Sequence, residues 1–271
     1  MLVLGGTLEA SALCVALAEA GIPATLSYMG RVERPKPQPV PVRIGGFGGV
    51  AGLADWLRSH RVTHMVDATH PFAARMSANA VAAAALTGVP LVALVRPAWQ
   101  PGAGDRWTRV PDIAGAVAAL DGPARRVMLA IGRMHLAEFA AQPQHDYMLR
   151  LVDPPAEPPP LPRHRVVVDR GPFTLAADRA LMVAHGTELV VSKNAGGAGA
   201  RAKLDAAREL GLPVLMIDRP AIPPRAEVGS VEAVLDWIAA QLRPPGTSAS
   251  LPSARAAGSR PRPRPPTADR P

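Results

Sequence analysis

The chain of 271 residues is long enough for one large or two modest domains, each burying a core of its own. Apolar residues make up 48% and charged residues 19%, which excludes a fibrous or coiled-coil protein; the single cysteine, Cys14, excludes an internal disulfide framework and a cysteine-built zinc or iron–sulfur site, and no metal site is expected. The net charge is +8, but the last 28 residues hold five arginines against one aspartate, so half of the excess lies in that tail; with 4% aromatics, the chain lacks the basic and aromatic interleaving of a single-strand nucleic-acid binder, and nucleic acid is set aside as a partner.

The opening residues have no basic leader region, and their apolar stretch is interrupted by Glu9 and Glu19. The longest apolar run, 81–95, is broken by Gly88 and Pro90 and is shorter than the ~20 residues that span a bilayer. The expectation is a soluble, cytoplasmic protein without a membrane partner, a monomer or weak homo-oligomer.

In chain order, short apolar runs alternate with helix-period segments, the pattern of a parallel sheet with crossover helices. Strands are expected at 2–4, 24–28, 40–44, 64–67 and 91–95, with helices at 9–20, 50–60 and 72–87 between them. Pro71 would open the last helix at its first position, with Thr69 or His70 as its cap. Residues 98–125 hold Pro101, Gly102, Gly104, Pro111 and Gly122 and read as a link between lobes carrying one short helix, 113–120. The alternation then restarts, with strands at 127–131, 147–151, 166–168, 189–192 and 214–217 and helices near 135–141, 175–185, 200–210 and 231–241. The expected fold is α/β: two Rossmann-like, doubly wound parallel-sheet lobes, 1–110 and 111–243, with an interdomain cleft. Residues 244–271 combine Pro, Ser, Gly and Arg with almost no large apolar side chain and are expected to stay disordered.

Ligands of open α/β sheets bind beyond the carboxyl ends of the strands, so the residues just after each strand carry the information. The first turn reads Gly5-Gly6-Thr7, suited to a phosphate approaching a helix N-terminus, though it lacks the full G-x-G-x-x-G and also fits an ordinary tight turn. After the second strand there is no acid before Glu33 to hold a free ribose, and Arg31 could take a 2′-phosphate. The third strand leads into Gly45-Gly46-Phe47-Gly48-Gly49, open to close backbone approach by a flat ligand or a phosphate. The fourth ends in Asp67-Ala68-Thr69-His70-Pro71, followed by Arg75. Asp67 and His70 at a strand end are candidate catalytic groups, Thr69 a cofactor contact and Arg75 a substrate contact. In the second lobe a strand runs into Lys193-Asn194, with Lys203 ten residues on; only three of the 30 basic residues are lysine, so two in one segment suggests that a compact ammonium is wanted for a phosphate or carboxylate. Arg133, Arg150 and Arg170 also stand at strand or loop ends, where several converging on one cleft would suit a polycarboxylate.

Gly-Gly-Thr at 5–7, Gly-Gly-Phe-Gly-Gly at 45–49, Asp-Ala-Thr-His-Pro-Phe-Ala at 67–73, Arg-Pro-Ala-Trp at 96–99, Gly-Pro-Phe-Thr at 171–174 and Ser-Lys-Asn-Ala-Gly-Gly at 192–197 together resemble the precorrin-6A reductase family over about residues 1–240. The resemblance implies NADPH as cofactor, a tetrapyrrole substrate, precorrin-6A, and reduction of a macrocycle double bond to give precorrin-6B in cobalamin biosynthesis. Two other readings are another NAD(P)-dependent reductase of a small anionic substrate and a non-catalytic nucleotide or tetrapyrrole binder. A short-chain reductase needs Tyr and Lys four residues apart, and the two tyrosines fail that test: Tyr28 is followed at that place by Val32 and Tyr147 by Leu151.

Overall fold

A computed structural model describes residues 1–29, 37–169 and 173–242. Two six-stranded parallel sheets make up the molecule. The first contains β1 (Leu2–Leu4), β2 (Thr25–Tyr28), β3 (Val42–Ile44), β4 (Met65–Asp67), β5 (Leu91–Leu94) and β12 (Ala226–Val228), in the order β12-β5-β4-β1-β2-β3. The central strands β1 and β4 are buried along their whole length, as expected where helices cover both faces of a parallel sheet. The covering helices are α1 (Leu8–Glu19), α2 (Gly49–Ser59), α3 (Ala74–Thr87) and α7 (Val231–Leu242). On one face Leu13, Cys14 and Leu17 of α1 meet Val3, Val66, and Val234 and Ile238 of α7; on the other Leu53 and Leu57 of α2 and Ala80 and Ala83 of α3 meet Leu2, Leu4 and Met65.

The second sheet, in the order β6-β11-β10-β7-β8-β9, contains β6 (Arg106–Val110), β7 (Arg126–Ala130), β8 (Asp146–Leu151), β9 (His164–Val168), β10 (Leu189–Lys193) and β11 (Pro213–Ile217). Helices α4 (Ile113–Ala118), α5 (Leu175–His185) and α6 (Ala202–Glu209) accompany it. The segment expected as a helix at 135–141 forms two 3-10 turns, Arg133–His135 and Ala137–Ala141, whose Phe139 is buried against Tyr147. Among the described residues, no helix is long and apolar enough to cross a membrane.

The sheets correct the division of the chain at residue 110. β6, expected as part of a link, pairs with β11 from Arg106↔Pro213 to Val110↔Ile217 and belongs to the second lobe. Conversely β12 pairs with β5, and α7 packs on the first-lobe core, so the last described segment returns to the first lobe. Neither strand carries a continuous apolar run: β6 reads RWTRV and is mostly exposed, and β12 has three residues. Both are edge strands, recruited by a free sheet edge rather than by their own pattern. Two chain segments thus cross between the lobes, 95–105 after β5 and 218–225 after β11. The expected tail, 244–271, and Arg31 lie outside the described residues.

Candidate functional site between the lobes

The chain runs from β1 outward through β2 and β3, then crosses back to β4 and on to β5, so the order reverses between β1 and β4. At that switch point lies a cleft lined by Thr7 and Glu9 after β1, Asp67 at the end of β4 with Thr69 and His70 beyond it, Arg96 after β5, and Arg219, Arg225 and Glu227 from the returning segment. Thr7 caps α1, accepting from the Ala10 N–H at 3.1 Å, while its hydroxyl donates to the Ala68 carbonyl at 2.8 Å. The turn after β1 is thereby tied to the turn after β4. Gly6 has φ of +125°, open only to glycine, and nothing lies within 4 Å of the place a Cβ would take. An open glycine ahead of a twelve-residue helix at the switch point fits a dinucleotide phosphate, so the residues present suit a nicotinamide cofactor.

Asp67 is buried. Its Oδ1 accepts from the Thr69 N–H at 3.1 Å and from the Thr69 hydroxyl at 2.7 Å, and its Oδ2 pairs with Arg225. The expected start of α3 is corrected: Pro71 and Phe72 form a turn, Ala73 N–H donates to the His70 carbonyl at 2.7 Å, and the helix begins at Ala74 with no side-chain cap, too far along the chain for Thr69 or His70 to cap it. His70 Nδ1 accepts from the Phe72 N–H at 3.2 Å, which leaves the ring proton on Nε2. Burial, together with Arg96, Lys193, Arg219 and Lys203, pushes the His70 pKa down to about 4. At neutral pH the ring is therefore uncharged, a hydrogen-bonding group rather than an acid.

The β10–α6 loop of the second lobe meets the cleft residues Arg96 and Arg219. Phe72 packs against the second-lobe core, and Lys193 Nζ stands 5.3 Å from the centre of its ring, which brings the end of β10 beside the turn that follows β4. Arg96 donates to the Ala195 carbonyl at 2.6 Å and pairs with Glu9 at 2.8 Å; Arg219 donates to the carbonyls of Asn194 and Arg96 at 3.0 Å and of Ala195 at 3.3 Å. Both guanidiniums thus fasten the crossing segments to the loop. Gly196, at φ +70°, is required there because a Cβ would lie 2.2 Å from the Pro97 carbonyl oxygen.

Two expected substrate contacts are corrected. Asn194 is buried and clasps the backbone of Trp99, accepting from its N–H at 2.8 Å and donating to its carbonyl at 3.0 Å. Lys203 is 4% exposed, donates to the Ala200 carbonyl at 2.6 Å and stands 4.8 Å from the centre of the Trp99 ring. Burial, with Arg150 nearby, lowers its pKa to about 7. The lysine-rich segment therefore splits, Lys193 beside Phe72 and Lys203 beneath the loop. The Arg150 side chain is likewise buried, paired with Asp178, and Arg133 is exposed in a 3-10 turn, so neither lines this cleft; Arg170 lies outside the described residues. In the cleft the arginines Arg96, Arg219 and Arg225 stand against the carboxylates of Glu9, Asp67 and Glu227, three charges of each sign.

Gly46 and Phe47 line a separate cleft with Gly48, Gly49 and Met29, and Arg75 lies there, apart from Lys193. The Arg43 guanidinium covers Phe47 at 3.8 Å from the ring centre and donates to the Gly46 carbonyl at 2.8 Å, fixing the glycine loop. Sequence reading missed Arg219 and Arg225 as site residues. Arg219 stands two places beyond β11, where strand-end inspection finds it; Arg225 precedes a strand too short to recognise.

The family model of precorrin-6x reductase CbiJ/CobK matches residues 1–239. A precorrin-6A reductase of Rhodobacter capsulatus is 59% identical over 88% of this chain and 95% of its own length, and one from Rhodococcus erythropolis is 46% identical over 88% and 96%. A cobalt-precorrin-6A reductase of Priestia megaterium is 32% identical over 90% of this chain and 99% of its own. The solved structure of a CobK precorrin-6A reductase superposes with a TM-score of 0.86 at 58% identity, covering 90% of this chain and 98% of that one. With two α/β lobes, a switch-point cleft and a match over nearly all described residues, the chain belongs to the precorrin-6x reductase family, CbiJ/CobK.

Proposed function

We infer that this protein is a precorrin-6A reductase that reduces a ring carbon–carbon double bond of precorrin-6A with NADPH, yielding precorrin-6B in cobalamin biosynthesis. The observation that carries the reading is 59% identity to a precorrin-6A reductase along 95% of that enzyme. Relatives named for precorrin-6A stand at 40–59% identity and those named for cobalt-precorrin-6A at 26–32%, which favours the metal-free substrate. NADPH is favoured over NADH by Arg31 and by the lack of an acid between β2 and Glu33.

The nicotinamide supplies the hydride when bound. Gly5, Gly6 and Thr7 present the α1 N-terminus to its phosphates, and Arg96 offsets the Glu9 carboxylate that would otherwise oppose them. Lys193, beside Phe72, is the second-lobe cation we assign to a substrate carboxylate. His70, neutral at working pH, orients ligand as a hydrogen-bond donor through Nε2, and the proton that completes the reduction does not come from an imidazolium there. The test is anaerobic incubation with precorrin-6A, or its cobalt form, and NADPH or NADH, following nicotinamide absorbance. Absence of substrate-dependent NADPH loss overturns the reading; faster turnover of the cobalt form overturns the metal-free preference, and equal rates with NADH overturn the cofactor preference.

A further inference from the structure

Arg225 reaches Asp67 from far along the chain: the two are 158 residues apart, and their side chains are 6% and 1% exposed. The pair matters because of what Asp67 holds. A carboxylate can only accept hydrogen bonds, so the hydroxyl hydrogen of Thr69 is committed to Asp67 Oδ1. The contact of Thr69 Oγ1 with Ser77 Oγ at 3.4 Å must then have Ser77 as donor. What Thr69 has left for the cleft it lines is an oxygen lone pair. The turn cannot swing to present its hydrogen, because the Thr69 N–H is on the same carboxylate oxygen and the neighbouring Ala68 carbonyl is held by Thr7.

We propose that Arg225 and Asp67 are positioning residues that lock Thr69 as a hydrogen-bond acceptor, and that Thr69 thereby selects a donor group of the cofactor, the carboxamide amine or a ribose hydroxyl, over a phosphate oxygen. Phosphate oxygens only accept at neutral pH and would face the Thr69 lone pair without a hydrogen between them. Asp67, singled out in the sequence as catalytic, acts through Thr69 and does not itself touch ligand. This inference rests on the cofactor half of the proposed function and adds a role for the segment that returns from the second lobe.

The test is equilibrium binding, without precorrin-6A. Titrate the protein with NADP+, with its 3-acetylpyridine analogue, which lacks the carboxamide amine, and with an analogue lacking a nicotinamide-ribose hydroxyl. Wild type is expected to bind one analogue about five- to tenfold more weakly than NADP+, the scale of one hydrogen bond. Thr69→Val abolishes that discrimination and Thr69→Ser keeps it. Asp67→Asn and Arg225→Met reduce it, and Arg225→Lys restores part of it. Which analogue suffers identifies the donor. Discrimination that survives Thr69→Val, or wild type that binds all three alike, overturns the proposal. Should Arg225→Met not fold, the isosteric Thr69→Val pair still decides. Wild type that discriminates yet does not turn over precorrin-6A sustains the positioning role while the proposed reaction fails; wild type that does not bind NADP+ overturns both.

Discussion

Asn194→Ala separates a scaffold from a ligand contact. In the native protein the Asn194 amide satisfies both backbone groups of Trp99, at 2.8 and 3.0 Å, in a buried setting. Truncation to alanine leaves the Trp99 N–H and carbonyl without partners, and an orphaned buried polar group costs ~1–3 kcal/mol. Two such groups, partly relieved by relaxation, come to about 3 kcal/mol, which for a chain of this size lowers the melting temperature by about 6–12 °C. The loss spreads beyond Trp99, because its indole N–H holds the Gly197 carbonyl at 2.7 Å in the loop that follows Lys193. Asn194→Asp keeps the acceptor for the Trp99 N–H but sets a second acceptor against its carbonyl, so it too should destabilise. The assay is thermal melting by circular dichroism beside steady-state kinetics with precorrin-6A. A variant that melts like wild type while KM for precorrin-6A rises about tenfold would refute the reasoning and return Asn194 to the substrate site.

Acid sensitivity should trace in part to His70: its pKa of about 4 lies below the unfolded value of ~6.5, so the unfolded state binds more protons in that window and stability falls as pH drops from 6.5 to 4. His70→Gln should remove up to about 3 kcal/mol of that decline, read from urea midpoints across the range; parallel pH curves for the two proteins would contradict it. Arg150→Met strands Asp178, buried with no partner for its Oδ2 among the described residues, and should cost about 3–5 kcal/mol. Arg150→Met with Asp178→Leu should recover most of the loss, and a double variant no better than the single would show that the pair is not the cause. Gly196→Ala forces a Cβ to 2.2 Å from the Pro97 carbonyl oxygen and 2.4 Å from Arg219 Nη2 at positive φ. It should expose Trp99, seen as a red-shifted and more readily quenched fluorescence, whereas an unchanged spectrum and melting temperature would mean that the loop is not strapped as described.

Much of the fold was legible along the chain because each core strand is a short apolar run buried on both faces and each crossover helix has its own apolar stripe. Leu2–Leu4, Leu91–Leu94 and Leu175–His185 emerge within a residue of where periodicity puts them, since local pattern and tertiary burial ask for the same thing. The strand-end rule likewise found Thr7, Asp67, Thr69 and His70, which the structure gathers in one cleft. What sequence could not reveal was anything depending on a partner distant along the chain. β6 and β12 have little apolar signal and exist because the opposite lobe offers an unpaired edge. The chemistry of the site changed for the same reason. A buried polar group takes its role from what lies beside it: Arg225 arriving on the returning segment makes Asp67 an anchor, Trp99 makes Asn194 a clasp and Lys203 a buried amine, and burial among cations keeps His70 neutral. Residue type and spacing announced that these positions mattered; only the two segments that cross between the lobes, which bring partners 95 and 158 residues apart into contact, decided what each one does.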